Sequence, residues 1–135
     1  MFQIKNKINF FLILLNIFFL IYYSTQLLVF TDEFAKNNIG FFNHAIAGLS
    51  EIIGLIFFCL AIGLVLVIFR GPKNQLPLLA TIYLIQLILS LNFWRYVITD
   101  SPGETSIEII MLNAHIFSLT SFSMLILLLR LKKYI

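Results

Sequence analysis

The chain has 135 residues, of which 61% are hydrophobic and only 11% charged, with a net charge of +3. Soluble domains run about 25% charged, so a soluble fold of this composition would expose apolar surface on a scale that drives aggregation. The length allows a single domain, 1–135. Its basic residues sit at the ends of apolar runs and are not interleaved with aromatics, which fits membrane topology and excludes a nucleic-acid interface.

The first apolar run covers about residues 8–30. Lys5 and Lys7 ahead of it resemble the basic start of a signal peptide. The run is too long for a signal-peptide core of roughly 7–15 residues, and no A-x-A site follows. It reads as a retained helix, a signal anchor. Asn9 and Asn16, seven positions apart, share a face of this helix and are expected to point toward neighbouring helices.

Residues 31–40 read as a short polar loop. The second span, 41–69, is longer than the ~20 residues needed to cross the hydrocarbon. Arg70-Gly71-Pro72-Lys73-Asn74-Gln75 is a tight turn punctuated by Gly-Pro. The third span, 76–99, carries Pro77 in its first turn, where proline is tolerated. A loop over 100–106 turns at Pro102-Gly103 and ends on Ser106, a candidate N-cap. The fourth span, 107–129, runs into a basic tail of Arg130, Lys132 and Lys133.

Orientation follows from the lysines and arginines of the short loops. Lys5, Lys7, Arg70, Lys73, Arg130, Lys132 and Lys133 fall on one side, and Asp32, Glu33, Asp100 and Glu104, offset by Lys36, fall on the other. The expectation is an all-α integral membrane protein. It is a four-helix up-down-up-down transmembrane bundle, N-in/C-in, in a bacterial-type inner (cytoplasmic) membrane, with both termini cytoplasmic. Short connections make sequential helices the expected neighbours.

Ionisable groups within a span cost roughly 2.5–3.5 kcal/mol on insertion scales and usually face the bundle interior. Glu51, Arg95 and His115 stand out, at similar depth in the outer half. Ala47, Gly54 and Ala61 recur every seven residues on the second helix, a small-residue stripe suited to close helix packing. His44 and Glu51 lie near that stripe, and Asn92 shares a face with Arg95. These spacings predict an inward cluster of His44, Glu51, Asn92, Arg95 and His115. One reading is a structural knot in which Glu51 and Arg95 neutralise each other. Another is a site for a quinone, a lipid head group or a small anion. A third leaves one of these residues to be met by a partner subunit.

His44 and His115 differ in depth, against bis-histidine haem ligation, and no residue set has metal-ligand spacing. The lone Cys59 allows no internal disulfide and no CxxC pair, and is expected to be a small packing residue. Trp94, Tyr96 and Tyr134 read as interfacial anchors. Ser118, Thr120, Ser121 and Ser123 read as interhelical hydrogen-bonding groups, since no base pairs with any of them. There is no phosphate-binding loop or dinucleotide fingerprint, and no catalytic residue is assigned.

Gly48-Leu49-Ser50-Glu51-Ile52-Ile53-Gly54, followed by Gly63 and Arg70, resembles the G-x-x-E-x-x-G…G…R pattern of DoxX-like membrane proteins. The segment from Arg95 to Asp100 with Pro102-Gly103 also resembles an uncharacterised branch of that superfamily. The resemblance implies a four-helix bundle centred on the Glu51 helix, and some members are linked to quinone-dependent redox complexes. The leading expectation is an accessory or structural subunit of a larger membrane complex, without catalytic activity of its own. Its partners would be membrane lipids and either partner subunits or further copies of itself, with lipid or quinone bound at the polar cluster. The alternatives are a DoxX-like quinone-linked redox component, with Glu51 and His115 handling protons and Arg95 holding the quinone or an anionic substrate, and a small oligomeric transporter.

Overall fold

Helix starts are set by side chains that satisfy the first free N–H groups. In the computed structural model, which describes residues 4, 6–103 and 105–131, Asn6 accepts from the backbone N–H of Ile8 and Asn9 at 3.0 and 3.3 Å and opens α1, Lys7–Leu28. Asn43 caps α3, His44–Arg70, by accepting from Ile46 at 2.9 Å. Helix α4, Leu76–Ile98, opens with Pro77 in its first turn. Ser106 Oγ accepts from the backbone of Ile109 at 3.3 Å ahead of α5, Ile107–Leu131, as its position in the sequence suggests. Lys5, Glu104, Lys132, Lys133 and Tyr134 lie outside the described residues.

Helices α1, α3, α4 and α5 are each long and apolar enough to cross a membrane. The stretch expected as a polar loop is instead helical: α2 spans Thr31–Ile39. Thr31 Oγ1 anchors its start to the carbonyl of Leu27 at 2.7 Å. Asp32 and Glu33 sit in its first turn, where negative charge suits the helix dipole. Gly40, at φ 85°, closes it in the left-handed conformation that glycine adopts without strain. Local capping overrides the polarity that suggests a loop.

The core lies on one stripe of each long helix. Ile13 and Leu20 of α1, Leu64 of α3, Ile82 of α4, and Met124 and Leu127 of α5 are all buried within it. The outer surface is apolar in every direction: Phe11, Phe18, Leu55, Phe58, Ile88 and Phe122 are exposed on the perimeter. A surface of that kind is matched to hydrocarbon rather than water.

Helix α1 packs against α3 and α5, and α4 packs against α5. Helices α3 and α4 are joined by residues 71–75, yet they barely touch. Sequence adjacency therefore does not set every packing neighbour, and one seam of the bundle is thin. The tight α1–α3 contact depends on Gly54, where a Cβ would stand 2.8 Å from Leu28 Cγ and 3.0 Å from Leu27 Cβ. At the thin seam Gly63 approaches Leu78 of α4, with 3.1 Å between the position of a Cβ and Leu78 Cδ2.

Candidate functional site

The five polar residues singled out in the spans do not meet in the interior. His44, Glu51, Asn92, Arg95 and His115 are all exposed on the perimeter. The cause is helical phase, at about 100° per residue. Arg95 stands about 180° from Gln86, which is buried, and His115 about 180° from buried Met124, while Glu51 is about 120° from buried Phe57. Gly54 and Ala61 are buried and Ala47 half-buried, so the small-residue stripe lies toward protein, but it marks an edge of the buried face and Glu51 falls beyond it.

Among the described residues no ion pair links Glu51 to Arg95. Arg95 instead lays its guanidinium over the Tyr96 ring, 4.7 Å from the centroid. His115 holds Nδ1 2.8 Å from the Met111 carbonyl and meets Trp94 edge-on at 5.0 Å. Cys59 is exposed on α3 rather than packed inside.

The buried polar groups are others. Midway along the bundle, Asn16 and Gln86 are 0% and 1% exposed. Gln86 Nε2 donates to Asn16 Oδ1 at 2.9 Å, and Asn16 Nδ2 donates to Ser123 Oγ and to the Leu12 carbonyl, both at 2.8 Å. The set ties α1, α4 and α5 together. A second tie sits nearer the end carrying α2, where Ser90 Oγ and Trp94 Nε1 both meet Ser118 Oγ, at 2.7 and 2.9 Å. At the opposite end Arg130 Nε donates to Asn9 Oδ1 at 2.8 Å. Asn9, Asn16, Ser118 and Ser123 thus act between helices, whereas Thr120 and Ser121 bond within α5.

Under α2 lies a cavity of about 500 Å³. Its walls come from all four long helices: Leu27 of α1, Ile53 and Phe57 of α3, Leu89 and Phe93 of α4, and Phe117 of α5. Residues 101–103 and 105 help close it beside α2. Helices α3 and α4 both line it but barely touch each other. A second cavity of about 250 Å³ lies among α1, α2 and α5 and shares Tyr23, Phe34, Asn38 and Asn113 with the first.

Those shared residues form a polar wall. Tyr23 Oη donates to Asn113 Oδ1. Asn113 Nδ2 donates to the Ile109 carbonyl at 3.0 Å and to Asn38 Oδ1 at 3.3 Å. Asn38 Nδ2 donates to the Phe34 carbonyl at 2.9 Å, and Thr105 Oγ1 donates to the Asn38 carbonyl. Among the described residues the lining holds no carboxylate, lysine, arginine or histidine. Such a site recognises by shape and neutral hydrogen bonds, and its volume falls in the range of small-molecule pockets, about 300–1,000 Å³.

Sequence reasoning missed Gln86, Tyr23, Asn38 and Asn113. Gln86 and Asn113 had the same signal as Asn16, an amide inside an apolar span. Tyr23 and Asn38 carried none, because their roles depend on α2 folding back over the bundle. Compared with known proteins, the chain matches no family model, no curated protein and no solved structure.

Proposed function

We propose that this protein is a small membrane-embedded accessory subunit that holds one lipophilic molecule in the cavity beneath α2. The cavity itself carries the reading: about 500 Å³, apolar over most of its lining, with neutral polar groups gathered at one wall. The distribution of basic residues supports an up-down order of spans with cytoplasmic termini, an orientation in which the cavity would lie in the outer leaflet. Binding, rather than acid–base chemistry, suits a lining whose described residues carry no charged side chain.

The test is extraction. Protein purified in mild detergent should carry a lipophile in near-equimolar amount, detected by mass spectrometry of the organic extract. Leu89→Trp, which fills the cavity from α4, should lose that lipophile while keeping its thermal unfolding transition. Equal recovery from both proteins would sink the reading.

A second reading has its own observation. Glu51, Arg95 and His115 are exposed on apolar helices, where an uncompensated charge is costly. Contact with a partner subunit would compensate them. Chemical crosslinking in native membranes, followed by purification, should recover this chain joined to another protein; a lone stable monomer counts against it.

A further inference from the structure

The hydrogen-bond arithmetic of the polar wall narrows the guest, given the reading that the cavity holds one. Both amide orientations are fixed by helix carbonyls four residues back. Asn113 Nδ2 must face the Ile109 carbonyl and Asn38 Nδ2 the Phe34 carbonyl, because a flipped amide would set oxygen against oxygen. With Asn113 Oδ1 then facing Tyr23, the phenol has to donate. Tyr23 Oη is left with free lone pairs, as are Thr105 Oγ1 and, in part, Asn113 Oδ1. On the donor side, both Asn113 N–H groups are used, and Asn38 Nδ2 retains one spare N–H.

Among the described residues the wall thus presents several acceptors, a single spare side-chain donor and no cation. A carboxylate or phosphate brings only acceptors and negative charge, and would face lone pairs without a counter-charge. At this wall a ketone or ester can use only the spare Asn38 N–H. A hydroxyl satisfies both sides at once, donating to Tyr23 Oη and accepting from Asn38. We infer that the cavity takes a neutral long-chain alcohol, its hydroxyl seated between Tyr23 and Asn38 and its chain running along Phe57 and Phe93 to the gap between α3 and α4.

The experiment compares three probes differing only at the head: hexadecanol, its methyl ether and palmitic acid. Each is titrated into delipidated full-length protein in detergent and followed by native mass spectrometry. Hexadecanol should bind about tenfold more tightly than the ether, the effect of losing one buried hydrogen bond, and palmitic acid should bind most weakly at neutral pH. Tyr23→Phe should abolish most of the alcohol's advantage and leave the ether's affinity unchanged. Equal affinity of alcohol and ether for the unmodified protein overturns the hydroxyl inference and leaves the cavity reading standing, as does tightest binding by palmitic acid. If all three bind Leu89→Trp as well as the unmodified chain, the cavity reading falls with it.

Discussion

Gln86 reaches from α4 to Asn16 on α1, Nε2 to Oδ1 at 2.9 Å, and joins two helices that otherwise hardly meet. Both side chains are fully buried, so the pair is isolated from any solvent that could replace a lost partner. The two ends are not equivalent. Asn16 serves three partners, whereas Gln86 has one bond and leaves Oε1 without a partner among the described residues. Asn16→Leu should therefore destabilise the protein by about 1–3 kcal/mol, since it strands Gln86 Nε2. Gln86→Leu should cost less, because it removes an unsatisfied oxygen along with the donor. The double variant should recover part of the Asn16→Leu loss. Thermal unfolding in one detergent measures all three, and a larger loss for Gln86→Leu than for Asn16→Leu contradicts the asymmetry.

Gly54 and Gly48 share α3 but not surroundings. A methyl at Gly54 runs into Leu27 and Leu28, while nothing lies within 4 Å of one at Gly48. Gly54→Ala should cost about 1–3 kcal/mol by overpacking the α1–α3 contact. Gly48→Ala should be neutral or stabilising by up to about 1 kcal/mol through helix propensity alone. Unfolding midpoints of the two variants that move together would show that α1 and α3 are not in tight contact.

The contrast between these glycines shows what the sequence carries. Four apolar runs and their Gly-Pro and Pro-Gly punctuation place the long helices to within a few residues, since length and hydropathy are local properties. Gly54 and Ala61 signal a packing face through their seven-residue spacing. That spacing fixes a stripe only to within some tens of degrees, and Glu51 lies just past its edge. Which polar residue is inside depends on where the neighbouring helix stands, and a conspicuous charge such as Arg95 is less informative than a quiet amide such as Gln86. The candidate site was illegible for a related reason. It needs α2 to fold over the bundle so that Asn38 meets Asn113, 75 positions away.

Cys59 and Ala61 stand two positions apart on α3 and face different surroundings. Cys59 is exposed on the perimeter, and Ala61 is 1% exposed. Cys59→Leu should leave stability within about 0.5 kcal/mol, as surface changes away from special features do. Ala61→Leu should lose about 1–3 kcal/mol by forcing extra carbon into a filled contact. A large loss at Cys59 would mean that its face is covered by protein.

Ser118 is a hub that can be watched directly. It receives the indole N–H of Trp94 at 2.9 Å, lies 2.7 Å from Ser90 Oγ, and donates back to the Ala114 carbonyl at 2.7 Å. Trp94 is the sole tryptophan of the chain, so tryptophan fluorescence reports on this one side chain and its surroundings. Ser118→Ala leaves the indole N–H without its acceptor in an apolar setting, at a cost of about 1–3 kcal/mol. The loss of a hydrogen bond that stabilises the polar excited state should also shift emission to the blue. Ser121→Ala is the control, because Ser121 bonds only within its own helix, at 3.0 Å to the Ser118 carbonyl, and it should leave the emission where it is. An unchanged spectrum for Ser118→Ala, or an equal shift for both, would place Trp94 away from Ser118. It would then undo this tie between α4 and α5.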